Sequence, residues 1–179
     1  SGQEKQRLRV MIGKKLYEFF DRPGGKQWML FAAADHLNSS IGHGGKDHRT
    51  LAKLNLTCGQ KARFRAAFAP ASMYRRQSLF YLRKLDKNPW KTHYDLSYEI
   101  YRELSHSELS MGYFEKGNEL AQILLKETRT LEEKLSTYWV LAEAKGKQQQ
   151  HHESLRICQD ALVRVTAIPK RMHFFHMKK

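Results

Sequence analysis

Nine histidines, two isolated cysteines and the Gly-Lys pairs at 25–26 and 45–46 are the residues of this 179-residue chain whose types could carry chemistry. A phosphate-cradling loop needs Gly, four residues, then Gly-Lys-Ser/Thr, so that backbone amides and the lysine surround the phosphates while the hydroxyl meets magnesium. Gly45-Lys46 is followed by Asp47 and preceded at the needed place by Ser40, and Gly25-Lys26 is followed by Gln27. Both stretches therefore read as ordinary loops between helices. Among the histidines, His43 and His48 flank a loop, His151-His152 sit at a turn, and His173 and His176 are spaced to share a helix face. With no Cys pair or HExxH pattern beside them they read as solvated residues, and neither a metal nor any other cofactor is expected. No nucleophile signature such as G-x-S-x-G is present, so no catalytic residue is assigned.

Charge points toward binding. Thirty-two Lys and Arg against 18 Asp and Glu give a formal charge of +14, which favours an acidic protein surface, an anionic membrane or nucleic acid. The cations are spread: Lys14-Lys15, Lys61 with Arg63 and Arg65, Arg75-Arg76, Arg83-Lys84 and a basic tail over 168–179, with Tyr74 and Tyr81 interleaved. Much of this is the solvated face of a helical protein; Asn55, Arg63, Arg75, Arg76, Arg102 and Lys134 are the side chains expected to meet a protein or acidic peptide segment. Nucleic acid is a lesser alternative, because no recognition motif accompanies the charge. Cys58 and Cys158 read as reduced, buried small hydrophobes of a cytoplasmic protein.

The elements that must position these residues are helices. A composition of 41% hydrophobic and 28% charged residues, with four prolines and eleven glycines, describes long uninterrupted segments. Breakers at Arg22-Pro23-Gly24-Gly25, 39–45, Ala69-Pro70, Asn88-Pro89, Gly112, Lys145-Gly146 and Pro169 separate stretches with helical apolar spacing. This predicts helices over 4–20, 27–39, 47–68, 70–86, 89–110, 113–127, 131–145 and 149–167 and no strand. They pair as four antiparallel hairpins, 4–39, 47–86, 89–127 and 131–167, in a single domain over 1–179. Asn88 before Pro89 predicts an N-cap, and Thr130 with Glu133 a capping box. In the seventh helix Leu131, Leu135, Tyr138 and Ala142 form the apolar stripe. Trp28, Phe31, Phe68, Phe80, Trp90 and Trp139 read as core, and Phe174-Phe175 as a docking pair in the tail. No stretch has the length and apolarity of a membrane span, and no signal pattern opens the chain. Ser1-Gly2 reads as a cloning remnant, so the natural protein is expected to be longer.

Closely stacked helix hairpins need small residues at the crossing, large apolar neighbours and an aromatic just after the turn to plug the gap. Tyr101, Leu104 and Ser105, the turn at Gly112, then Phe114, Gly117 and Ala121 supply them in one hairpin. Gly59, Ala62, Phe68, Ala71 and Ser78 do so in the hairpin before it, and Tyr138, Trp139, Ala142 and Ser154 in the last. This resembles the tetratricopeptide pattern, with elongated spacings of 46 from Ala71 to Gly117 and 37 from Gly117 to Ser154. The resemblance implies a right-handed superhelical stack of degenerate tetratricopeptide-like hairpins.

The order of segments is also similar to one family. The segments are 8–16, His36-Leu37-Asn38, 51–62, Trp90 with Tyr94 and Leu96, and Gly112-Tyr113-Phe114-Glu115. They resemble the helical region that follows the ATPase module in large predicted-ATPase hybrid signalling kinases, which combine Ser/Thr-kinase-like and histidine-kinase domains. The Gly-rich, basic 41–50 loop departs from that family. The likeness implies a non-catalytic scaffold that binds a protein segment and neighbouring domains of its parent chain; a basic module on nucleic acid or anionic membrane is the alternative.

Overall fold

The computed structural model describes residues 2–40 and 47–166. Nine helices and no strand occur among them: α1 (Gly2–Phe20), α2 (Gln27–Asn38), α3 (His48–Phe64), α4 (Phe68–Leu85), α5 (Pro89–Thr92), α6 (Tyr94–Ser110), α7 (Phe114–Glu127), α8 (Leu131–Lys147) and α9 (His151–Thr166). The Gly-Lys pair at 45–46, His43, and the tail with Phe174-Phe175, His173 and His176 lie outside the described residues. Contacts divide the chain into two compact units, Ser1–Leu104 and Ser105–Lys179.

Local chemistry sets the helix ends. Asp47 caps α3 by accepting the Thr50 N–H at 3.0 Å. Thr130 and Glu133 form the predicted capping box at the start of α8, with bonds of 3.2 and 2.9 Å. Asn88 does not cap with its side chain. Asp86 holds that turn instead, accepting the Asn88 N–H and the Thr92 hydroxyl, each at 2.8 Å. The helix predicted over 89–110 breaks at His93 (φ −136°, ψ 52°), whose carbonyl accepts the first α6 bond from Ser97 N–H at 2.9 Å. No breaker stands there in the sequence. Packing imposes the bend: Trp90 is buried with its ring 5.9 and 5.1 Å from those of Tyr94 and Tyr101.

In unit 1, Leu30, Ala34, Leu37, Leu54, Cys58 and Tyr74 form the core, with Val10, Tyr17, Phe20, Phe31 and Leu51 against it. Gly13 of α1 lies where a Cβ would meet Leu37 and the Ala33 carbonyl of α2, which brings these helices into close antiparallel contact. Unit 2 is built on Leu109, Ala121, Leu141 and Ala144, flanked by Phe114, Leu125, Val140 and Ile157. Thr137, Leu141, Ala142 and Ala144 are the buried residues of α8. Of the predicted stripe, Leu131, Leu135 and Tyr138 are half-buried and only Ala142 is buried.

Three hairpins share one device. A left-handed residue closes each first helix: Ala66 (φ 58°), Gly112 (φ 83°) and Gln149 (φ 60°). The next N–H returns five residues, from Ala67 to Ala62, Tyr113 to Glu108 and Gln150 to Lys145, at 3.0, 2.9 and 3.0 Å. Seven residues before each left-handed position stand Gly59, Ser105 and Ala142; five after stand Ala71, Gly117 and Ser154. These six small residues meet in pairs. A Cβ on Gly59 would lie 3.2 Å from the Ala71 carbonyl oxygen, Ser105 donates to the Gly117 carbonyl at 3.1 Å, and Ser154 donates to that of Ala142 at 2.9 Å. Ser78 adds a further bond in the α3/α4 pair, to the Ala52 carbonyl at 2.7 Å. Helix α8 runs through Gly146 to Lys147, because the left-handed turn falls on Gln149 and not on the glycine. Ala62, Tyr101, Leu104 and Ala121 are buried, whereas Phe68 is 58% exposed and packs little.

Candidate functional site

Within unit 1, helices α3 and α4 and the part of α6 up to Leu104 bring three arginines to one carboxylate. Arg75 leaves α4 beside Gly59 of α3, where an added Cβ would sit 2.8 Å from the Arg75 Cγ. Glycine at 59 therefore makes the channel through which the arginine stem runs. Arg75 is 2% exposed, and its Nη2 lies 2.6 Å from Glu103 Oε2. Arg102 Nη2 approaches Oε1 of the same carboxylate at 3.2 Å, and Arg63 Nη1 stands 3.9 Å from Oε2, within ion-pair range but beyond a hydrogen bond. A turn away, Gln60 Nε2 donates to Glu99 Oε1 at 2.8 Å.

The electrostatics are unbalanced. Burial pulls the Arg75 guanidinium below its ordinary value, Glu103 opposes this, and Arg63 and Arg102 add to the lowering. An arginine stays charged nonetheless, and a carboxylate offers only about four lone-pair sites. Glu103 cannot satisfy three guanidiniums, and the buried Arg75 Nε has no hydrogen-bond partner. Glu103 is consumed mainly by Arg75, the least exposed of the three. The side chains of Arg63 and Arg102 remain 44% and 42% exposed beside an excess of positive charge. The Tyr98 ring lies 6.0 Å from the Arg102 guanidinium. The cluster is chemically suited to accept an external anion; it presents no nucleophile.

The other expected contacts fall elsewhere. Asn55 is fully buried and exchanges hydrogen bonds with Asn38 at 2.8 and 3.0 Å while donating to the Leu51 carbonyl at 2.9 Å. Its amide is spent inside α2/α3, which corrects its placement at a partner surface. Arg75 is likewise interior, Arg76 is exposed on α4, and Lys134 is half-buried on α8 in unit 2. Glu103 escaped the sequence reading because a glutamate beside Arg102 looks like a solvated neighbour. The signal was its position between Ile100, Leu104 and Ser107 on a broad buried face, where a charge needs a partner.

Burial pushes the Cys58 thiol up to about 12, with Asp35 adding to the shift, so it is inert at neutral pH. Cys158 is exposed, not buried as expected, because α9 has no fully buried residue. His48 stacks on Tyr81 at 6.2 Å, and His151 and His152 are exposed at the start of α9. No His, Cys, Asp and Glu group able to hold a metal occurs among the described residues, and no described helix is long and apolar enough to cross a membrane. Comparison of the chain with protein-family models, with curated proteins and with solved structures gave no match in any of the three.

Proposed function

We propose that this chain is a non-catalytic helical scaffold that binds an acidic protein segment at Arg63 and Arg102. The observation that carries the reading is the convergence of three guanidiniums on Glu103, with the two outer ones half-exposed. A carboxylate or phosphate from a partner would enter where charge-assisted bonds to arginine forks are available and where Arg75 keeps the local field positive. The shared turn-and-small-residue device supports reading the hairpins as degenerate tetratricopeptide-like repeats stacked in a right-handed superhelix. On this reading the module works in the cytoplasm as a linker in a signalling ATPase or kinase, and its mechanism is geometric.

The test is binding of a fluorescent acidic peptide to the wild type and to Arg63→Glu/Arg102→Glu, with circular dichroism to verify folding. Arg75 is left unchanged because it is buried. The reading expects at least a roughly tenfold loss of affinity on reversing two half-exposed contacts. Equal affinity of the two proteins would overturn it. A salt dependence steep enough to abolish binding, together with tighter retention of RNA, would assign the cations to nucleic acid instead.

A further inference from the structure

The end of unit 1 where α1 and α3 finish and α2 and α4 begin carries a second surface. Antiparallel packing gathers these four termini: Gly13 faces Ala33 and Leu37, Cys58 lies against the Leu30 carbonyl, Tyr74 meets Phe31, and Arg65 donates to Gln27. Phe19, Trp28, Phe64 and Phe68 emerge there, 50%, 56%, 94% and 58% exposed, and supply four of the six large aromatic side chains exposed among the described residues. Trp28 and Phe68 are thus surface residues, where helical spacing predicts core. Arg22, Lys26, Lys61 and Arg65 stand on the same terminal turns. The acidic side chains nearby in sequence are Asp21 and Glu18, and Glu18 is bound to Lys15 at 2.8 Å. The Arg22 guanidinium lies over the Phe19 ring at 5.1 Å.

We propose that this tip is a peripheral docking surface for an anionic bilayer. The rings come from the terminal turns of four different helices, and Phe64 stands almost clear of the protein. A protein partner would need a separate pocket for each ring, whereas the headgroup region of a membrane accepts Trp and Phe rings anywhere in its plane. The four cations complement anionic headgroups, each adding attraction within a Debye length of the surface. Phe64 and Trp28 would sit at the headgroup–acyl boundary, with Arg22, Lys26, Lys61 and Arg65 on the headgroups. The surface does not use Arg102 or Glu103 and stands independently of the acidic-segment site.

The test is co-sedimentation of the full chain with vesicles of phosphatidylcholine alone or with about a third phosphatidylserine, at about 0.1 M salt. The wild type is expected to bind the anionic vesicles and not the neutral ones. Phe64→Ser/Phe68→Ser should weaken that binding roughly tenfold or more, as expected for losing inserted aromatic area, without changing the circular dichroism spectrum. Lys26→Glu/Arg65→Glu should also weaken it, and Arg102→Glu alone should leave it intact. Absence of binding to anionic vesicles would overturn the proposal. So would vesicle binding that survives Phe64→Ser/Phe68→Ser, which would reduce it to diffuse charge, or displacement of vesicles by single-stranded RNA that the serine variant binds equally well.

Discussion

Replacing Glu103 with leucine removes the carboxylate on which Arg75 closes at 2.6 Å, and leaves a guanidinium that is 2% exposed without its counter-charge. Breaking a buried ion pair by deleting one partner costs about 3–5 kcal/mol. The leucine buries apolar area in the same place and offsets about 1 kcal/mol of that, while Glu and Leu differ little in helix propensity. The net loss is about 2–4 kcal/mol, and with a urea slope of about 2 kcal/mol per molar the unfolding midpoint should fall by about 1–2 M. Urea titration followed by circular dichroism reads this directly. The double variant Arg75→Met/Glu103→Leu should recover most of the loss, because an apolar pair carries no uncompensated charge. A Glu103→Leu midpoint within experimental error of the wild type would refute the reasoning. So would a double variant as unstable as the single, since the cost would then not arise from the stranded arginine.

Gly117→Ala should destabilise by about 1–2 kcal/mol in urea titration despite the better helix former, because its Cβ would lie 2.6 Å from Leu109 Cδ2 and 3.0 Å from the Leu109 backbone nitrogen. Gln149→Gly and Ala66→Gly should each raise stability by several tenths of a kcal/mol or more, because φ of 60° and 58° penalises side chains, and Gly112→Ala should lower it by about 1 kcal/mol. Thr130→Ala should cost about 1 kcal/mol by removing the capping box of α8, read as a lower melting temperature. Hydrogen bonds from Thr50 hold the Asp47 carboxyl below its ordinary value. Its contribution is therefore complete above the unfolded value of about 3.9 and lost as pH falls through the folded value, so the gap between wild type and Asp47→Ala should close on acidification.

The helices were legible because apolar residues at helical spacing and paired cap residues such as Thr130 and Glu133 act locally. The contacts between helices were partly legible for the same kind of reason. Gly59, Ala71, Ser105, Gly117, Ala142 and Ser154 are small because two backbones pass there, and their spacings of 46 and 37 match those between the left-handed turns at 66, 112 and 149. Only Gly112 announces its turn by residue type. Ala66 and Gln149 take a conformation that glycine favours, held by the returning hydrogen bonds, and so looked unremarkable in the sequence. The break at His93 depends on Trp90 packing between two tyrosines, a tertiary effect that overrides helical propensity. Asn55 and Glu103 looked like surface polar groups because their partners, Asn38 and Arg75, lie 17 and 28 positions away. Buried polar pairing is long-range, and a single sequence does not display it.

The reading that Arg63 and Arg102 receive an external anion is tested most directly at the arginine side chains themselves. In Nε–Hε correlation spectra, titration with an acidic peptide should shift the signals of Arg63 and Arg102 together, to saturation, with those of Arg22 and Arg65 unmoved. Shifts spread evenly over all exposed arginines, or none at Arg63 and Arg102, would contradict it.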